Sequence, residues 1–149
     1  MNSKHQKGAT TVEFAIVGAV VLTVMFAVIE IGRALFTLSV LNEGTRRGAR
    51  VAAVCPLNDP AIAQETAFAS LPGLTTQNVT VEYLNQTGGA IANPAGNFGA
   101  IGYVRVRLVN YQYQMWIPFL NLSFMAPEFA VTLPRESLGV PREGVINPC

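Results

Sequence analysis

Apolar positions along the chain fall into one long run and several short, alternating ones. From Phe14 to Ile29 there is no charge, and only Gly18 and Thr23 interrupt the apolar residues. As a helix this run covers about 24 Å at ~1.5 Å per residue. A bilayer core needs about 20 mostly apolar residues, so a span must extend through residues 9–12 and Ile31. Past the run the pattern stays helical. Val28, Ile31, Leu35, Leu38, Asn42, Thr45, Ala49 and Ala52 recur at steps of three and four, while Arg33, Glu43, Arg47 and Arg50 fall on other faces. No proline intervenes before Pro56. One helix is therefore expected over residues 9–54, with 9–32 in the membrane and 33–54 projecting. Its seam turns small and polar toward the end, which suits tight closure by a globular domain or by neighbouring helices better than a long coiled coil. Gly18, Gly32, Gly44 and Gly48 each weaken an isolated helix by up to ~1 kcal/mol, so packing must hold it.

Residues 55–149 carry shorter periods. Asn58 or Asp59 can cap a second helix that opens on Pro60 and runs to Pro72 and Gly73. Val79, Val81 and Tyr83 alternate with Thr80 and Glu82, predicting a strand over 78–84. A longer strand is predicted over 101–114, with Val104, Val106 and Leu108 on one face and Tyr103, Arg105 and Arg107 on a solvated one. Phe129, Val131 and Leu133 mark a last strand over 128–133. Between these lies MWIPFLNLSFM, residues 115–125, too short to span a membrane and broken by Pro118. A core loop is expected there, because an exposed apolar patch of that size is unusual in a monomer. An assembly surface and a membrane-hugging loop are the other readings. The fold class is α+β: a long N-terminal transmembrane and amphipathic helix, then a small head with a short helix and an antiparallel sheet of about three strands.

Composition narrows the function. Of 149 residues, 50% are hydrophobic and 13% charged, an excess that one membrane helix accounts for. Residues 55–149 suffice for one small domain. With a net charge of +1 and Lys4 and Lys7 as the only lysines, no phosphate-tracking cluster exists and no nucleic-acid partner is expected. Nothing points to an enzyme. The single histidine is His5, the head offers Ser70, Ser123 and Ser137, and no acids pair at a recognisable spacing. Two cysteines without a usable histidine make no zinc site. The glycine-rich loop at 85–100 lacks the Lys-Ser/Thr of a P-loop and the spacing of a dinucleotide fingerprint, so no cofactor is expected.

Two acids bracket the apolar run. Glu30 has Arg33 at i+3 to pair with and to carry it to the interface, so it needs no further role. Glu13 has no basic residue within four positions after it. An acid in a membrane segment costs a few kcal/mol unless answered, which points to a partner outside this helix. The residues alone also allow an interfacial acid lying among headgroups. The frame Gly8-x-x-x-x-Glu13-Phe14, behind a basic leader of Lys4, His5 and Lys7, resembles the processing site of type IV prepilins. That resemblance implies a leader at 1–8, a cut between Gly8 and Ala9 by a membrane aspartyl peptidase, and Glu13 facing the new N-terminal amine of a neighbouring subunit. A cleaved secretory signal fits less well, since IEIGRALF after the run holds no small-x-small site.

The following segment narrows the resemblance. Glu30, Gly32 and Arg33, then Arg47, Gly48, Ala49 and Arg50, are similar to the E-x-G-R and R-x-G-A-R signatures of TadE-like pseudopilins of the tight-adherence pilus, with residues 46–50 offering a choice of register. The order of paired strands, aromatic-proline connector and final strand running into Arg135 and Glu136 is similar to the same family's domain. The resemblance implies a minor pilin or pseudopilin in the bacterial inner membrane. Its implied partners are other pilins and pseudopilins, the prepilin peptidase, the inner-membrane assembly platform and membrane lipid. It also places the N-terminus inside and the head in the periplasm, although Arg33, Arg46, Arg47 and Arg50 outnumber the leader lysines. In such a compartment Cys55 and Cys149, an even pair, are expected to form a disulfide pinning the C-terminus to the end of the long helix. Two free thiols are the other reading. The functional alternative is an unprocessed single-pass protein whose periplasmic head binds a ligand or partner.

Overall fold

The computed structural model describes residues 6–68, 71–117, 121–140 and 149. Helix α1 spans Gln6–Val54, 49 residues without a break, about 73 Å at ~1.5 Å per residue. It starts earlier than the expected Ala9 and ends where Pro56 forbids continuation. Its last carbonyls are answered from the other end of the chain: the amides of Glu136 and Leu138 donate to Ala53, and Gly139 and the Ser137 hydroxyl donate to Val54. Cys55 and Cys149 form a disulfide with Cα atoms 5.7 Å apart. Helix α2 (Pro60–Thr66) opens on an Asp59 side chain that accepts from the Ala61 amide, with Pro60 in the first turn. It stops well short of Pro72. Its packing on α1 ends at Thr66, where a Cβ on Gly48 would collide with the Thr66 side chain and one on Gly44 with the Thr66 carbonyl. Those two glycines are what let the helices approach.

Strands β1 (Val79–Leu84), β2 (Tyr103–Leu108) and β5 (Phe129–Pro134) form an antiparallel sheet in the order β1-β2-β5, with Val81, Val106 and Val131 aligned across it. Val104 and Val106 face α1, where with Ala49, Ala52, Ile62, Tyr83 and Leu138 they form the larger core cluster. Burying each large side chain contributes about 1.5–3 kcal/mol. On the outer face Arg107 binds both Glu82 and Glu128, so the predicted solvated face is laced by cross-strand ion pairs.

The strand predicted over 101–114 is instead two. Asn110 takes φ 56°, a left-handed conformation asparagine tolerates, and the Asn78 side-chain amide donates to the carbonyls of Val109 and Asn110 across the bend. Beyond it β3 (Gln112–Gln114) pairs with β4 (Ser123–Met125) in a separate ribbon. The stretch expected to be a core loop therefore holds a strand, and Trp116, Leu122, Phe124 and Met125 are exposed. Pro118 lies outside the described residues. The bend turns Tyr111 and Tyr113 inward to join Leu41 and Leu108 in a second, smaller cluster.

Helix α1 also corrects its own predicted seam. Thr45, Ala49 and Ala52 are buried as expected, but Val28, Ile31, Leu35 and Asn42 are exposed and Leu38 only half-buried. The covered face runs instead through Glu30, Thr37, Leu41, Thr45, Gly48 and Ala52.

Candidate functional site

The head grips α1 near the end of its apolar run. Glu30, expected to need only Arg33, is 7% exposed and is held by three groups. Arg33 binds it through Nη2 at 2.6 Å and Nε at 3.2 Å, the Tyr113 hydroxyl donates at 3.0 Å, and the Trp116 amide donates at 3.3 Å. The Arg33 guanidinium also donates to the Gln114 carbonyl and lies 4.6 Å from the centroids of both the Tyr113 and Trp116 rings. Arg33 was expected off the packed face; the ribbon recruits it. A carboxylate in poor solvent is tolerated when its oxygens are all answered and its charge is neutralised, and this set does both. Burial, then the bond to Glu30, raises the Tyr113 phenol above its ordinary pKa, so it stays a donor. Beside the clasp opens a cleft of about 610 Å³ lined by Arg33, Phe36, Tyr111, Tyr113 and Trp116 among others.

The predicted residues separate into three places. Gly8, Ala9, Glu13 and Phe14 lie on the first turns of α1, all exposed, with Gly8 inside the helix and open space where its side chain would be. No ion pair among the described residues reaches Glu13. Glu30 and Arg33 form the clasp, while nothing in the structure explains a glycine at Gly32, which also meets open space. Gly48 and Ala49 belong to the α1–α2 and α1–sheet contacts. Arg47 pairs with Glu43 at 3.0 Å and covers the Phe68 ring at 4.3 Å, and Arg50 is exposed. These residues thus form two structural joints on one rod rather than one site. Tyr113 and Trp116 were missed as site residues; the only hint was a tryptophan and two tyrosines just before Pro118.

Other chemistry is sparse. Among the described residues no group of three or more His, Cys, Asp or Glu could hold a metal ion. The Ser123 hydroxyl accepts from Gln112 within the ribbon, Ser137 caps α1, and Ser70 and His5 lie outside the described residues. In the glycine-rich loop the Asn85 and Asn93 side chains accept from the amides of Gly89 and Gly96, so the loop is folded on its own polar groups.

Comparison with known proteins adds one finding. Residues 8–50 match the family described as TadE-like protein, which supports a TadE-like protein of the Tad pilus system. The match covers the uncovered stretch of α1, the clasp residues Glu30 and Arg33, and the helix contact at Gly48. No curated protein and no solved structure matches the chain.

Proposed function

We propose, from the premise of a TadE-like N-terminal helix, that this protein is a minor pilin or pseudopilin of the tight-adherence pilus. Residues 9–32 anchor it in the inner membrane, 33–54 and the head at 55–149 project into the periplasm, and the leader at 1–8 is removed after Gly8. One observation carries the reading. From Gly8 to Ile29 α1 is exposed apart from a half-buried Gly18, so the monomer leaves a membrane-length apolar surface uncovered, with Glu13 as the one acid on it. Lipid covers such a surface in the isolated subunit and neighbouring pilin helices cover it in an assembly. Glu13 is then the group that meets a neighbour's N-terminal amine, because an acid near the bilayer edge gains most from a cation at reduced dielectric.

The cleft beside Arg33 favours a second reading, an unprocessed single-pass protein with a ligand-binding head. Mass measurement of the membrane-extracted chain separates the two. We expect a chain beginning at Ala9, and Gly8→Leu should leave the leader in place while insertion persists. An intact wild-type N-terminus would reject the pilin reading, and a Gly8→Leu chain still shortened by eight residues would put the cut elsewhere.

A further inference from the structure

The ribbon is tied to the membrane helix at a depth that can be bounded. Glu13 and Glu30 are separated by about 25 Å along the helix at ~1.5 Å per residue, less than the ~30 Å of a bilayer's hydrocarbon core. If the first acid sits at one edge of the core, the other edge falls at or beyond Glu30. If the span begins at Ala9 instead, Glu30 itself marks the far edge. The Trp116 amide, 3.3 Å from the Glu30 carboxylate, therefore lies at the membrane boundary in the second placement and within about 5 Å of it in the first. There the ribbon presents apolar groups: Trp116 is 69% exposed, with Leu122 and Met125 also exposed, and Ile31, Leu35 and Phe36 are exposed on α1. Phe36 and Trp116 line the same cleft, so the helix and ribbon contributions meet. The charges at this level are already paired, which leaves an apolar and aromatic surface of the kind that settles at headgroup depth.

We propose that the β3–β4 ribbon is a second membrane contact, a foot whose Trp116 edge rests at the boundary between headgroups and acyl chains beside the exit of α1. The inference rests on the membrane-spanning reading of α1. Glu30 and Arg33 are then positioning residues: they hold the foot at a fixed height, and the head is steadied at two points instead of pivoting on one helix.

Trp116 is the chain's single tryptophan, so its fluorescence reports the foot alone. The full chain is reconstituted at high lipid excess into phosphatidylcholine vesicles, and flotation after alkaline washing establishes whether α1 is inserted. Lipids brominated near the headgroup end of the acyl chain should quench the emission by about two-fold or more, deeper bromines should quench less, and aqueous iodide should reach the indole poorly. Chain that floats while Trp116 remains iodide-accessible and unquenched by bromine overturns the foot and leaves the anchor standing. Chain that does not float overturns both. Shielding from iodide that appears only as the protein-to-lipid ratio rises identifies a second copy as the cover and likewise rejects lipid.

Discussion

The two halves of α1 obey different rules although no residue interrupts them. From Gly8 to Ile29 the helix is apolar apart from Thr10, Thr11, Glu13 and Thr23 and almost wholly exposed; from Glu30 to Val54 one face is sealed by α2, the sheet and the ribbon while the others carry arginines. Gly18 and Gly48 condense the contrast. A methyl group at Gly18 meets nothing within 4 Å, whereas at Gly48 it strikes Thr66. Where the chain's own head does not reach, the monomer puts no steric demand on a helical position. Where they are the chain's own head, one missing Cβ decides whether two helices can touch.

The sharpest way to break the covered half is to release its end. Cys149→Ala opens a loop with a sequence separation of 94, and loss of such a bridge should cost the head up to about 4–5 kcal/mol on the chain-entropy account. A denaturation midpoint unchanged from the parent would show that the caps on Ala53 and Val54 hold the terminus unaided. Gly48→Ala comes next. Overpacking costs about 1–3 kcal/mol and outweighs the ~1 kcal/mol that alanine gains in a helix, so head stability should fall. Gly18→Ala should leave head stability and insertion intact. Equal melting curves for the two mutants would dissolve the comparison.

At the border between the halves, Glu30→Gln removes the anion from beneath Arg33 and should cost about 2 kcal/mol. Hydrogen exchange should quicken in β3 and β4 but not in α2; uniform acceleration would mean that the clasp supports the whole head rather than the ribbon. The smallest effect on the head belongs to Glu13→Ala. It removes a charge and its burial cost together, so membrane level and head melting should stay at the parent value while crosslinking to pilin partners falls. Undiminished crosslinking would make Glu13 a tolerated interfacial acid.

The covered half was legible where burial and hydrophobicity coincide. Alternation located β1, β2 and β5, Pro60 behind Asn58 or Asp59 marked the start of α2, and Thr45, Ala49 and Ala52 fell on the packed face. The seam failed at Val28, Ile31 and Leu35 because on a stretch apolar on nearly every side an apolar residue does not single out the face that the chain's own core covers. The break at Asn110 was hidden by a side chain that tolerates a left-handed turn within an apparently continuous alternating run. The clasp was illegible for another reason: Glu30 and Tyr113 lie 83 residues apart, and the i+3 arginine already offered a sufficient local explanation. Neither the period nor the charge pattern says that a carboxylate already paired will accept two more donors.

Because α1 is unbroken, its azimuths are fixed along the whole rod. At about 100° per residue, the seventeen-residue interval turns Glu13 roughly a quarter of a revolution around the axis from Glu30, so the acid does not point along the side on which its own head hangs. Under the proposed assembly, a neighbour engaging Glu13 would approach from a flank, and the heading of each subunit about the fibre axis would become a property of helical phase. Inserting one alanine between the two glutamates would rotate one by about 100° against the other without altering a single contact of the head.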